Sequence, residues 1–321
     1  MTTLTPNRCA YGMMAVSGTA NKTTVLLNTG NYPSYSSYLN TTLTFPGSGT
    51  PNWTQVSASS IDPSGPLPTR VDAVMSWDGY NVMLYGGRES SSLGGVLEDT
   101  WALASAATWS QLSPATVPFG RYKAEGSYLA GTGVVMFGGT IANGQLIDET
   151  WTWNGSAQTW TQLTSTNNAT TWPAARVNHM MASNGTNVVM FGGKGNNSLY
   201  NDAWSFASGA WTLLTPTTPP SVRSDACMVS DGTNYILFGG TDEYNYKDEV
   251  WALNSAGTAW KQLTPTGVMP SGRVGAQMVW DSTLTAAVLF GGVSASSNYP
   301  DNSTYKMTYN LSAGTCTWTQ L

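Results

Sequence analysis

Arginine is concentrated at one recurring address in this chain: six of its seven, Arg8, Arg70, Arg121, Arg176, Arg223 and Arg273, stand 47 to 62 residues apart, each opening a short apolar run. After each run comes a stretch that closes on small residues, Thr29-Gly30 in the first unit and Gly86-Gly87, Gly138-Gly139, Gly192-Gly193, Gly239-Gly240 and Gly291-Gly292 in the others. Every unit then ends on a tryptophan phrase: Trp53-Thr-Gln-Val, Trp109-Ser-Gln-Leu, Trp160-Thr-Gln-Leu, Trp211-Thr-Leu-Leu, Trp260-Lys-Gln-Leu and Trp318-Thr-Gln-Leu. Repeats of this size cannot each bury a hydrophobic face alone, so six of them share one core. The expectation is one domain over residues 1–321, with units at about 8–57, 70–113, 121–164, 176–215, 223–264 and 273–321.

Within the second unit, Val71 to Trp77 reads as a strand, Asp78-Gly79 as a tight hairpin turn and Asn81 to Gly87 as the partner strand. Leu97 to Leu103 supplies a third strand and Thr108 to Leu112 a fourth. The hairpin signal returns at Asn184-Gly185 and Asp231-Gly232, and helical periodicity is absent. Four up-and-down strands per unit make a propeller blade, so the fold expected is an all-β, six-bladed propeller of antiparallel blades. Because the last unit ends in its own Trp318 strand, the closing blade is expected to supply its own outer strand.

Composition narrows the function. Only 10% of residues are charged and the net charge is -5, so no basic field exists to draw nucleic acid. No stretch has the length of a membrane-spanning apolar segment, and residues 1–8 show no signal-peptide pattern. Three cysteines, Cys9, Cys227 and Cys316, form neither a disulfide framework nor a metal motif. With Cys9 on an inner strand and Cys316 on an outer one, no disulfide is expected between them.

The repeat resembles the kelch family of β-propellers over residues 8 to 321. The likeness rests on the Gly-Gly pairs and on the third-strand phrases Asp99-Thr-Trp101, Glu149-Thr-Trp151, Asp202-Ala-Trp204 and Glu249-Val-Trp251; blades one and six depart, with Leu39 to Phe45 and Ser303-Thr-Tyr305. Kelch propellers include galactose oxidase-like copper enzymes, and that resemblance implies a site of two histidines, two tyrosines and a cysteine. This chain has one histidine, His179, read as a packed, hydrogen-bonded strand residue. No metal, cofactor or catalytic residue is expected.

Two constellations remain. The arginines, with the acids that recur before the third strands (Glu98-Asp99, Asp148-Glu149, Asp202, Asp248-Glu249 and Asp301), read as a structural ring, since a repeated base matched to a repeated acid is what a scaffold needs. Two residues further on the repeats differ, at Ala10, Asp72, Lys123, Asn178, Asp225 and Gly275, positions expected to line a channel with Glu125 and Gln277 below. The longer loops share the face that receives each first strand, and their Tyr35, Arg88, Trp172, Tyr244, Tyr246 and Tyr299 are the expected contacts to a glycan or protein partner.

These readings point to a non-enzymatic recognition or decoration module, expected on a virion surface, such as a phage capsid or tail, or otherwise outside the cell, where other virion proteins are candidate partners. One alternative is a secreted lectin-like module. The other follows from resemblance to six-bladed kelch sialate mutarotases, which implies an acid or base, among Glu125, Asp72 and His179, beside an anion-binding arginine.

Overall fold

The computed structural model describes residues 13–16, 24–28, 41–45, 54–55, 67–68, 70–89, 95–103, 109–165, 171–297 and 300–321. Their strands assemble into six antiparallel, four-stranded units. Blade one comprises Met13–Val16, Thr24–Asn28, Thr41–Phe45 and Thr54–Gln55; blade two Val74–Trp77, Val82–Tyr85, Thr100–Leu103 and Trp109–Leu112. Blade three comprises Glu125–Leu129, Gly133–Phe137, Thr150–Asn154 and Thr159–Leu163; blade four Met180–Ser183, Val188–Phe191, Ala203–Ala207 and Ala210–Leu214. Blades five and six follow as Ser224–Ser230, Tyr235–Thr241, Val250–Leu253 and Trp260–Gly267, then Gln277–Asp281, Ala286–Phe290, Thr304–Asn310 and Thr315–Gln320. Each first strand packs on the first strand of the next blade, and that of blade six packs on Met13–Val16, which closes the ring. The outer strand of blade six is Thr315–Gln320, paired to Thr304–Asn310.

Alternation decides what is buried. The second strands, such as Val82–Tyr85 and Val188–Phe191, are buried throughout because blades cover both their faces. The outer strands bury one side only, as in Thr159–Leu163, where Trp160 turns inward. In blades two to five the aromatic just before the Gly-Gly pair meets the fourth-strand tryptophan of the following blade: Tyr85 on Trp160, Phe137 on Trp211, Phe191 on Trp260 and Phe238 on Trp318, with ring centroids 4.9, 5.6, 5.0 and 5.0 Å apart.

The arginines clamp these junctions. Arg176 Nε donates to Ala174 O, Nη1 to Gly192 O, and Nη1 and Nη2 to the two carboxylate oxygens of Asp202 at 2.6 and 2.8 Å. The same set recurs as Arg70 with Asp99, Arg121 with Glu149, Arg223 with Glu249 and Arg273 with Asp301, always inside one blade. The pairing acid is the one just before the strand, and in blades two to five it also accepts from the indole N–H two residues on, as Trp101 does to Asp99. Partial burial works to raise the Asp99 carboxyl, but the hydrogen bonds and charge of Arg70, with the Trp101 indole, hold it below the usual carboxylate range. In blade six, where Tyr305 replaces that tryptophan, Asp301 stands further from the strand and the pair lengthens to 3.2 Å.

The arginine backbone meets the preceding blade. Gly87, Gly139 and Gly193 N–H donate to Arg121, Arg176 and Arg223 O at 2.8, 2.9 and 2.9 Å. A Cβ on Gly138 would lie 2.6 Å from Arg176 O, and its φ is +69°, so the first glycine of the pair is required by both conformation and space.

One pairing is absent from the sequence reading. The outer strand of blade five runs on through Thr264, Pro265, Thr266 and Gly267 and pairs in parallel with Thr315–Gln320 of blade six. Thr217 makes the same parallel bridge to Ala259 of blade five. Both segments follow the repeated Leu-Thr-Pro phrase and cover an outer edge that would otherwise expose unpaired backbone groups. Cys227 and Cys316 are free and buried; Cys9 and Arg8 lie outside the described residues.

Two stability outcomes are expected. Arg176→Ala leaves Asp202 and two backbone carbonyls without their donor, and thermal or urea unfolding should show a loss of about 3 kcal/mol, with Arg176→Lys failing to restore it. The second concerns the junction tryptophans. Trp160 and Trp211 indoles donate to Thr100 and Thr150 Oγ1 at 3.0 and 2.9 Å, but blade four has Ala203 at that position and Trp260 Nε1 is buried without a hydrogen-bond partner. Ala203→Thr should therefore be more stable than the Ala203→Val control by about 1 kcal/mol.

Candidate functional site

Two residues after each of Arg70, Arg121, Arg176, Arg223 and Arg273 the backbone turns left-handed: Asp72, Lys123, Asn178, Asp225 and Gly275 have φ of 58, 59, 52, 58 and 64°. That turn aims each N–H at the preceding blade. Lys123 N donates to Asp72 O (2.9 Å), Asn178 N to Lys123 O (3.2 Å), Asp225 N to Asn178 O (3.0 Å) and Gly275 N to Asp225 O (3.3 Å). The result is a belt of backbone hydrogen bonds, one blade to the next, around one end of the channel. Glycine is the residue with least strain at such a φ, and aspartate and asparagine tolerate it. Lysine does not share that preference.

The channel has a volume of about 370 Å³ and is lined by the belt residues with Glu125, Gln277 and, toward the opposite end, Trp77, Tyr128 and Trp280. Ala10 lies outside the described residues. Arg88, the seventh arginine, reaches the mouth: its Nε stands 3.3 Å from Asp72 Oδ2 and its guanidinium lies over the Tyr122 ring at 4.7 Å. Asp225 accepts from Ser224 Oγ at 2.7 Å. Burial raises the Asp72 carboxyl, and Lys123 and Arg88 oppose that rise; burial likewise raises Asp225, against the Ser224 hydrogen bond and Lys123. Glu125 is open to the channel but enclosed by the surrounding strands. That enclosure, reinforced by the charges of Asp72 and Asp225 and opposed by the Gly126 N–H, pushes its carboxyl up to about 8.

The structure distributes the six expected loop contacts differently. Tyr244 is almost fully exposed and Tyr246 partly so, both on the loop between the second and third strands of blade five. Trp172 is a correction: it is buried at 6% exposure, packs into the core between blades three and four, and its indole donates to Asp148 O at 2.7 Å. A tryptophan in a Pro-bounded linker has apolar area enough to be drawn inward, and this one is. Arg88 belongs to the channel mouth. Tyr35 and Tyr299 lie outside the described residues. Phe119, two residues before Arg121, is 70% exposed on the same face and carries no sequence signal that separates it from a core phenylalanine.

His179 is a second correction. It is buried, but neither ring nitrogen has a hydrogen-bond partner, and the ring packs edge-on to Phe137 at 5.7 Å. The equivalent positions in the other blades described here are Ala73, Ala124, Ala226 and Ala276, all packed on the second glycine of their blade.

Residues 129–321 match the KLHDC2/KLHL20/DRC7 Kelch-repeats domain. The chain belongs to the kelch-repeat family. No curated protein matches it by sequence. Among solved structures this kelch propeller is similar to YjhT, with a TM-score of 0.72, 98% of each chain covered and 13% identity, a likeness of fold.

Burial lowers the His179 imidazole well below its ordinary value, and the Arg176 charge adds to the effect. The folded state therefore keeps it neutral while the unfolded chain takes up a proton below about pH 6.5. Stability attributable to His179 is full above that pH and should fall on acidification by up to about 1.4 kcal/mol per pH unit. Glu125 acts in the opposite sense, since its folded value is raised: its contribution is greatest at acid pH and is lost as pH rises from about 4.5 toward 8. Urea unfolding from pH 8 to 4.5 should show His179→Ala gaining on the parent as the pH falls, and Glu125→Gln gaining on it as the pH rises.

Proposed function

We propose that this kelch propeller is a non-enzymatic recognition module that engages a glycan or protein partner through the face receiving the blade-to-blade linkers. The observation that carries the reading is where exposed aromatic and apolar surface collects. Phe119, Val222, Tyr244 and Tyr246 all stand on segments of that face, whereas the opposite turns expose Tyr80. Flat amphipathic side chains of this kind suit both sugar rings and protein surfaces. The proposed setting is a virion surface, on a phage capsid or tail, which suits a chain with 10% charged residues and polarity carried by Thr, Ser, Asn and Gly.

The mutarotase-like alternative asks for arginines open to an anion. Arg70, Arg121, Arg176, Arg223 and Arg273 are instead buried and engaged by carboxylates of their own blades. Arg88 is paired with Asp72, a carboxylate that would repel an anionic ligand there.

A glycan array and a virion-protein pull-down should both lose signal in a Tyr244→Ala/Tyr246→Ala/Phe119→Ala variant. A Thr186→Lys/Thr233→Lys variant, altered beside the Asn184-Gly185 and Asp231-Gly232 turns, should bind like the parent. Loss confined to the second variant would reverse the face assignment.

A further inference from the structure

Three Asn-Gly pairs occur in the chain: Asn143-Gly144, Asn154-Gly155 and Asn184-Gly185. A glycine after asparagine has no Cβ to obstruct ring closure between its own backbone nitrogen and the asparagine Cγ. Closure forms the glycine N–Cγ bond and breaks the Cγ–Nδ2 bond, and the carboxamide nitrogen leaves as ammonia with the proton of the glycine amide. Water then opens the resulting succinimide at either carbonyl, leaving aspartate or isoaspartate. The dipeptide and water supply every atom of the reaction. In a folded chain the rate is set by the cost of freeing the carboxamide and the glycine N–H so that they can meet.

The structure raises that cost at two of the pairs, both on turns of the face opposite the linkers. Asn184 is half-buried, and its Oδ1 accepts from the Thr186 and Asn187 N–H groups, each at 3.0 Å. Its Nδ2 donates to Thr233 O of blade five at 3.4 Å, and the Gly185 N–H donates to Ser183 Oγ at 3.1 Å. Ring closure there has to break bonds within the turn and one between blades. Gly155 is buried, and a Cβ built on it would lie 2.4 Å from Asp78 Cγ, so the Asp78 carboxyl group of blade two packs directly on this glycine. A neighbouring carboxylate also opposes the negative charge that the attacking amide nitrogen must develop.

Asn143 is held by much less. It stands in the loop between the second and third strands of blade three, on the linker-bearing face, and residues 142–145 are all exposed. Among the described residues its carboxamide makes one hydrogen bond, Oδ1 accepting from the Gln145 N–H at 2.9 Å, which keeps the side chain folded back over Gly144. The Gly144 N–H donates to Ile141 O at 2.9 Å within a single turn, and a Cβ built on Gly144 would meet nothing within 4 Å. No contact from another blade has to be broken there. We propose that Asn143 is a site of spontaneous covalent modification, converting through a succinimide to aspartate and isoaspartate, while Asn154 and Asn184 are protected by the fold. The site stands independently of the recognition reading.

The test holds the whole protein in mildly alkaline buffer and follows each asparagine by peptide mapping, with mass spectrometry reading the gain of one mass unit and the isoaspartate linkage. Asn143 should convert about tenfold faster than Asn154 or Asn184, the ratio given by an opening cost lower by about 1.4 kcal/mol. In guanidinium-unfolded protein the three should convert at closely similar rates, because only the shared dipeptide then matters. Asn143→Gln should remove the fast conversion and leave the other two sites unchanged. Faster conversion of Asn154 or Asn184 in the folded protein, or equal rates at all three, would overturn the assignment. So would an Asn143 that stays intact in the folded protein over the time in which the unfolded chain converts.

Discussion

A guanidinium group held between a carboxylate and the first glycine carbonyl of the same blade is the contact on which the propeller depends. Arg176 shows its reach: three nitrogens satisfy Ala174 O, Gly192 O and both oxygens of Asp202, while its own carbonyl receives the Gly139 N–H of the preceding blade. One residue therefore fixes the entry of a first strand, the exit of a second and the start of a third, and registers them against the neighbouring blade. A lysine has one point of charge and could not serve those acceptors together. Arg70, Arg121, Arg176, Arg223 and Arg273 are thereby buried and engaged within their own blades.

The rest of the repeat is equally committed to the scaffold. The scaffold's repeated side chains point into blades and junctions, where tryptophans pack on the aromatic that precedes the glycine pair of the previous blade. What varies from blade to blade is either on the loops, as at Tyr244 and Phe119, or at the left-handed belt around the channel. A rigid belt made only of main-chain bonds lets the side chains differ without altering the ring. The same freedom appears in the core at Ala203, which stands where blades two and three have Thr100 and Thr150, and at His179, which stands where the other described blades have alanine and leaves two nitrogens unsatisfied.

The fold was legible because its signals are local. Gly-Gly at +69° and +95°, as at Gly138 and Gly139, marks the close approach of a second strand to the next blade, and an Asp-Gly or Asn-Gly pair turns a hairpin within a few residues. The arginine and acid spacing likewise announced a matched pair, although it did not say that both partners sit in one blade. The candidate site was legible in part: of the variable positions, Asp72, Lys123, Asn178, Asp225 and Gly275 do line the channel. The loop aromatics were harder, because exposed and buried tryptophans look alike in a linker; Trp172 is drawn under the loops while Tyr244 stands clear.

From the amino-acid sequence alone follow the number of repeats, the four strands of each blade and the address of the arginines, since each is set by residues within one unit of about fifty. Tertiary structure alone decided the left-handed belt, the parallel strand by which Thr264 to Gly267 covers the edge of blade six, the orphaned nitrogens of His179 and the placing of Arg88 over Tyr122 beside Asp72. Each of these joins atoms from different blades or across a closed ring. Their energies depend on distances that exist only once all six blades have packed around the channel.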